Sequence, residues 1–212
     1  GDEVMCPAPY FVEYGAYCGH FGGVLRPVPA LPPDFQPDLD AIEAAVTDRT
    51  RVILINSPNN PTGCVYARET LKRLAELLER VNASRQRPLF LLSDEPYRFL
   101  AYDGAEVPPV LDVSPYALVL GSFSKSLSLA GERVGYIAAS PAMPDADLLI
   151  NAVAMTSRVQ ISGLSVLWRA PAPAKRTCAS RSPQPSSARM PAAASSTSSI
   201  WSTSSTRLKK RP

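Results

Sequence analysis

At 212 residues the chain is long enough to bury one sizeable α/β core, and its 45% apolar content is ordinary for a soluble fold. No apolar run is long enough to span a bilayer, and the opening Gly1-Asp2-Glu3 carries no leader pattern, so no membrane is expected and the cytoplasm is the expected compartment. The net charge of +3 conceals two regimes: from Arg169 onward there are nine basic residues and no acid, so the preceding part carries −6.

Up to residue 161 short apolar runs alternate with helical patterns, which predicts an α/β fold with an open, mostly parallel sheet flanked by helices. The first strand is expected at Gly23 to Val28. A helix follows with Leu39, Ile42 and Val46 on one face and Asp38 as its N-cap. Arg51 to Asn56 reads as the next strand, and Ala67 to Val81 as an amphipathic helix burying Leu71, Leu74, Leu78 and Val81. Leu89 to Ser93, Ala117 to Gly121 and Arg133 to Ala139 read as further strands, and Ala146 to Met155 as the helix after them. From 162 to 212 the periodicity disappears into Ala, Pro, Ser, Thr and Arg. That composition buries too little apolar area to offset the entropy of ordering and predicts a disordered tail. A genuine extension and out-of-frame translation of a GC-rich gene both fit; the abrupt, acid-free start favours the second.

Polar punctuation stands just past three of the strands, where open α/β sheets collect ligands. Ser57-Pro58-Asn59-Asn60-Pro61-Thr62-Gly63 is, taken alone, a turn, with Gly63 suited to positive φ. Asp94-Glu95-Pro96-Tyr97 is, taken alone, an acidic surface loop, and Lys125 in Ser122-Phe123-Ser124-Lys125 a solvated surface charge. Cys6, Cys18, Cys64 and Cys178 show no zinc-site spacing and read as buried free thiols. The one histidine, His20, leaves a His-based triad or a multi-His metal site without parts, so no metal is expected.

The three segments taken in order and at this spacing change that reading. Asn60-Pro61-Thr62-Gly63, Asp94-Glu95-Pro96-Tyr97, Ser122-Phe123-Ser124-Lys125 and then Arg133-Val134-Gly135 resemble the motif series of the fold-type I, class I/II aminotransferases, the family of aspartate and aromatic aminotransferases. The opening Gly1 to Val4 and Ala8-Pro9-Tyr10-Phe11 match as well, so the resemblance covers about Gly1 to Ser157. It implies pyridoxal 5'-phosphate (PLP) as cofactor and residues 1–161 as part of the PLP-binding large domain, followed by the tail 162–212. Lys125 would hold PLP as a Schiff base and act as general acid/base. Asp94 would pair with the pyridine nitrogen. Tyr97 and Asn60 would hydrogen-bond the ring oxygen, and Ser122, Ser124 and Arg133 would bind the phosphate. Phe11 falls where the family stacks an aromatic on the ring, and a plain core role fits it equally well.

The resemblance further implies transamination between an amino acid and a 2-oxo acid, and a homodimer. The family's chains are longer, and the expected gaps are an N-terminal arm and the small domain with the arginine that grips the substrate carboxylate. The chain as it stands is therefore expected to be a weak or inactive aminotransferase whose dimerisation is in doubt. Two other readings stand beside this one: a lyase-type PLP reaction on the same scaffold, and a non-catalytic remnant of a disrupted gene. A nucleic-acid role for the basic tail is disfavoured, because it holds Trp201 but no interleaved aromatics and no recognisable module.

Overall fold

The opening segment, where no strand is expected, forms β1 (Glu3–Ala8) in the interior of the sheet, and α1 (Tyr14–His20) follows it. The structure, a computed structural model, describes residues 1–160 and Val166–Arg169. After α1 come β2 (Val24–Leu31), a two-residue β3 (Gln36–Pro37), α2 (Leu39–Ala45), β4 (Thr50–Asn56) and α3 (Arg68–Asn82). β5 (Phe90–Asp94), β6 (Ala117–Ser122), the single-turn α4 (Phe123–Ser126), β7 (Gly135–Ala139), α5 (Ala146–Gln160) and β8 (Val166–Arg169) complete the described elements. They belong to one compact unit, Gly1–Ala174. Of the segment 162–212 only Val166–Arg169 are described, as β8; the remainder, including Cys178, lies outside the described residues.

The strands hydrogen-bond in the order β3-β2-β1-β4-β5-β6-β7-β8. β2, β1, β4, β5 and β6 run parallel, β3 is antiparallel to β2, and β7 is antiparallel to β6. The mostly parallel sheet expected from the alternation of elements is therefore present. In β4 the unbroken run Val52-Ile53-Leu54-Ile55 suits a strand covered on both faces. Successive residues point to opposite faces. Ile53 and Ile55 pack with Ile42 of α2 and Leu71, Leu74 and Leu78 of α3, while Leu54 and Val52 pack with Tyr14 of α1. Farther along, Leu118, Ile137 and Ala139 meet Ala146, Leu149 and Val153 of α5. Each leucine buried on α3 contributes about 2 kcal/mol of transfer free energy. Asp38 caps α2 as its sequence predicts, accepting a hydrogen bond from the Ala41 amide at 3.0 Å.

β1 escapes a periodicity reading because it is short, contains Pro7 and opens on a charge. That charge is neutralised in place. The Glu3 carboxylate, 2% exposed, pairs with Arg26 and Arg49, each at 3.0 Å, and accepts the Thr47 hydroxyl at 2.6 Å. These bonds tie β1 to β2 and to the turn before β4. The Thr47 hydrogen bond first, then Arg26 and Arg49, draw the Glu3 carboxyl below its ordinary range against the opposing effect of burial. A depressed carboxyl stabilises the fold above its unfolded-state pKa, and that stability is lost as pH falls through the folded-state value. Glu3→Gln is therefore expected to lower the midpoint of thermal unfolding at neutral pH and to flatten its acid dependence, as a melting series from neutral pH downward would show.

β6 and β7 approach closely because two glycines allow it. A methyl group at Gly121 would sit 2.0 Å from the Tyr136 ring, and one at Gly135 would sit 2.6 Å from the Gly121 carbonyl oxygen. The strand expected from Arg133 begins only at Gly135, since Arg133 itself has φ 50° in the left-handed region and belongs to the preceding turn. The thiols of Cys6, Cys18 and Cys64 are free; Cys6 is buried, whereas Cys18 and Cys64 are only half-buried, contrary to expectation. They stand at a helix and a turn, where one side faces solvent.

Candidate active site

Parallel strands deliver their carboxyl ends to one edge of the sheet. Asn56 of β4 lies in register with Asp94 of β5, and Asp94 with Leu120 of β6. β7 runs the other way, so its first residue, Gly135, stands opposite Ser122 at that same edge. Neighbouring strands are about 4.8 Å apart, so the four strand ends span about 15 Å, the scale of one small cofactor. The loops carrying Asn60, Tyr97, Lys125 and Arg133 all adjoin this edge. β1 ends there too and leads through Pro9 and Tyr10 to Phe11.

Asp94 is the best-defined member. Its Oδ2 accepts a hydrogen bond from the Tyr14 hydroxyl at 2.6 Å, and no other hydrogen bond reaches its carboxylate among the described residues. The Asn56 side chain, itself buried, donates to the Asp94 backbone carbonyl at 2.8 Å and accepts the Asn60 amide at 2.6 Å. One asparagine thus fixes the positions of two of the motif residues relative to each other. Burial raises the Asp94 carboxyl above its ordinary value, and the Tyr14 hydrogen bond opposes that rise. Burial, followed by the Asp94 charge and the hydrogen bond, pushes the Tyr14 phenol well above its ordinary range, so it stays protonated and donates. The Phe11 ring meets Tyr14 edge-on, with centroids 5.6 Å apart, and is half-buried against the same apolar cluster. It serves the core and adjoins this corner through Tyr14.

The next residues show what shapes the loop. Glu95 is buried; it accepts the Ser93 hydroxyl at 2.9 Å and an Arg98 guanidinium contact at 2.8 Å, while Arg98 also donates to the carbonyls of Val107 and Pro108. The chain after half-buried Tyr97 is pinned by that bridge, which gives Glu95 the shape-setting part its sequence suggests. Before β5, Asn59 Oδ1 accepts both the amide and the hydroxyl of Thr62, and Gly63 takes φ 73°, so the Asn-Pro-Thr-Gly segment is a true turn as well as a motif.

Ser122 caps α4, its hydroxyl accepting the Ser124 amide at 3.1 Å, and both serines are half-buried. Lys125 is exposed and makes no hydrogen bond or ion pair with the described residues. Arg133 is exposed as well; Nη1 donates to the Ala130 carbonyl at 3.3 Å. The Tyr17 phenol on α1, raised chiefly by its hydrogen bond to Glu13, lies within the electrostatic reach of both Asp94 and Arg133. The edge therefore gathers Asn60, Asp94, Tyr97, Ser122 and Ser124, with Phe11 joined to Asp94 through Tyr14. Lys125 and Arg133 adjoin it without touching Asp94. Two residues were not evident beforehand. Asn56 leaves a trace, being the polar end of a buried apolar strand; Tyr14 leaves none, because its partner stands eighty positions away.

Comparison with known proteins identifies the chain's relatives. The family model described as "Aminotransferase class I and II" matches residues 1–184. The "Probable aspartate/prephenate aminotransferase" of Aquifex aeolicus (strain VF5) is 42% identical over 143 residues, covering 65% of this chain and 35% of its own. Its counterpart from Thermus aquaticus is 37% identical over 158 residues, covering 74% and 40%. Among solved structures, an aminotransferase from Eubacterium rectale superposes with a TM-score of 0.71 at 45% identity, over 74% of this chain and 40% of that one. A mutant aspartate aminotransferase from Thermus thermophilus gives 0.66 at 36% identity, over 77% and 42%. The chain spans about two fifths of the length of these relatives. With a model match over most of its length and a sheet edge that carries the expected motifs, the chain belongs to the class I and II aminotransferases.

Proposed function

We propose that residues 1–161 form the greater part of a PLP site and that the activity served is transamination between an amino acid and a 2-oxo acid. The single observation carrying this reading is the convergence of the Asn60, Asp94–Tyr97 and Ser122–Lys125 segments, with the turn holding Arg133, on one sheet edge. The donor set suits the group. A half-buried carboxylate keeps Oδ1 without a hydrogen bond among the described residues, an aromatic ring packs edge-on against the tyrosine that holds it, and two serine hydroxyls lie at the same sheet edge as an arginine that has no acidic partner among the described residues.

When bound, PLP supplies an electron sink for charge developing at the substrate α-carbon. Asp94 would hold a proton on the ring nitrogen, a task that its burial favours by excluding competing water. Phe11 would stack on the ring, Tyr97 and Asn60 would donate to its oxygen, and Ser122, Ser124 and Arg133 would hold the phosphate, Arg133 through charge-assisted bonds. Lys125 would hold the cofactor through its side-chain amine, and that amine would serve as the general base for the substrate's α-proton. The absence of a hydrogen bond or ion pair to it among the described residues suits both tasks.

The test is direct. Incubation with PLP is expected to produce a Schiff-base absorption band, and borohydride reduction with peptide mapping should place the pyridoxyl group on Lys125. Labelling at Lys72 or in the tail instead, or none at all, would sink the proposal.

A further inference from the structure

We infer that Tyr14 is a positioning residue of the site: its hydroxyl holds Asp94 Oδ2 so that Oδ1 is left to meet the cofactor's ring nitrogen. The inference rests on the PLP reading above and deepens it. The Tyr14 hydroxyl reaches Asp94 Oδ2 at 2.6 Å, and the remaining oxygen has no hydrogen bond among the described residues. A carboxylate anchored at one oxygen has lost its freedom to rotate, so the other oxygen is presented at a set angle. Tyr14 is in turn held by packing. It is the first residue of α1, 6% exposed, packed with Cys6 and Leu54 and met edge-on by Phe11. The aromatic proposed to stack on the ring and the acid proposed to bind its nitrogen are thereby joined through one side chain.

The titratable groups around Asp94 sort by what they do. Tyr17 of α1 and Glu95 at the end of β5 feel its charge without bonding to its carboxylate, and Tyr14 alone bonds to it among the described residues. The hydrogen bond opposes the upward push that burial exerts on the Asp94 carboxyl. Tyr14 therefore also favours the anionic form of Asp94, the state a protonated ring nitrogen requires.

The experiment uses the full 212-residue chain. In cofactor-free protein carrying 13Cγ-aspartate, with the Asp94 signal identified by its loss in Asp94→Asn, Tyr14→Phe is expected to move the Asp94 titration to higher pH. Leu54→Val, which thins the same apolar cluster, should leave it in place. PLP affinity should fall about tenfold in Tyr14→Phe, the loss of one hydrogen bond to a charged group, with the deficit widening as pH is lowered. An Asp94 titration that does not move overturns the inference. A titration that moves while PLP affinity holds also overturns it, since the bond is then structural. If Tyr14→Phe does not fold, wild-type protein with 13Cζ-tyrosine decides: one tyrosine signal must follow the Asp94 titration and cease to do so in Asp94→Asn, and its absence refutes the coupling. Wild-type protein that places no pyridoxyl group on Lys125 fails at the functional reading itself, an outcome separate from the titration arm.

Discussion

Lys125→Ala is expected to abolish borohydride-fixed PLP and the Schiff-base absorption band while leaving the fold unchanged. The two halves of that result have different causes. Covalent attachment needs an amine, and alanine offers none. Stability needs contacts, and Lys125 makes no hydrogen bond or ion pair with the described residues from its exposed position on α4. Substitutions at such positions usually change stability by less than about 0.5 kcal/mol. A melting curve coincident with wild type, beside a pyridoxyl label that disappears entirely, is the predicted pair. A label that persists would show that another lysine attaches the cofactor; a large loss of stability would show that Lys125 holds the β6–β7 connection together.

The second prediction has opposite signs for binding and for stability. Asp94→Asn should weaken PLP about tenfold to a hundredfold, because a charge-assisted bond to the ring nitrogen is replaced by a neutral contact. In the absence of PLP the same change should raise the thermal midpoint at neutral pH. Burial lifts the folded-state pKa of Asp94 above its unfolded value, so the folded state retains the proton more strongly and stability falls as pH rises through that window. An asparagine carries no charge to desolvate, and its carbonyl oxygen can still accept the Tyr14 hydroxyl. The stability advantage should therefore shrink as pH is lowered and the wild-type carboxyl becomes protonated. Calorimetry across that range, with PLP titrations on the same preparations, would test both signs. An Asp94→Asn protein less stable than wild type at neutral pH would mean that the carboxylate is part of the architecture and not a group held ready for a ligand.

Glu3 makes the contrast with Asp94 plain. Both are acids on neighbouring regions of the sheet, yet Glu3 is surrounded by Arg26, Arg49 and Thr47 and is drawn down, while Asp94 has one phenol and is pushed up. An acid satisfied on all sides is a tie between strands. An acid with one oxygen that accepts no hydrogen bond among the described residues, beside polar strand ends, fits a site.

Much of this was written locally in the chain. Strands β4, β5 and β6 follow from short apolar runs, α3 from its leucine stripe, the α2 cap from Asp38 and the Gly63 turn from glycine's tolerance of positive φ, because each depends on residues a few positions apart. The motif order also pointed to the family and to the residues along the sheet edge. Other features arise only when distant segments meet. β1 becomes a strand by pairing with β2 and β4, and its buried Glu3 is met there by two arginines from elsewhere in the fold. Arg133 lies outside β7 because it ends the preceding turn with φ 50°, and the strand begins at Gly135, where β6 and β7 approach closely. Tyr14 gained its part from a phenol meeting a carboxylate eighty residues away, and Asn56 from bridging two loops. Periodicity and turn chemistry act over a few residues and can be read in order; hydrogen bonds across a sheet depend on which strands become neighbours, and that emerges when the chain packs.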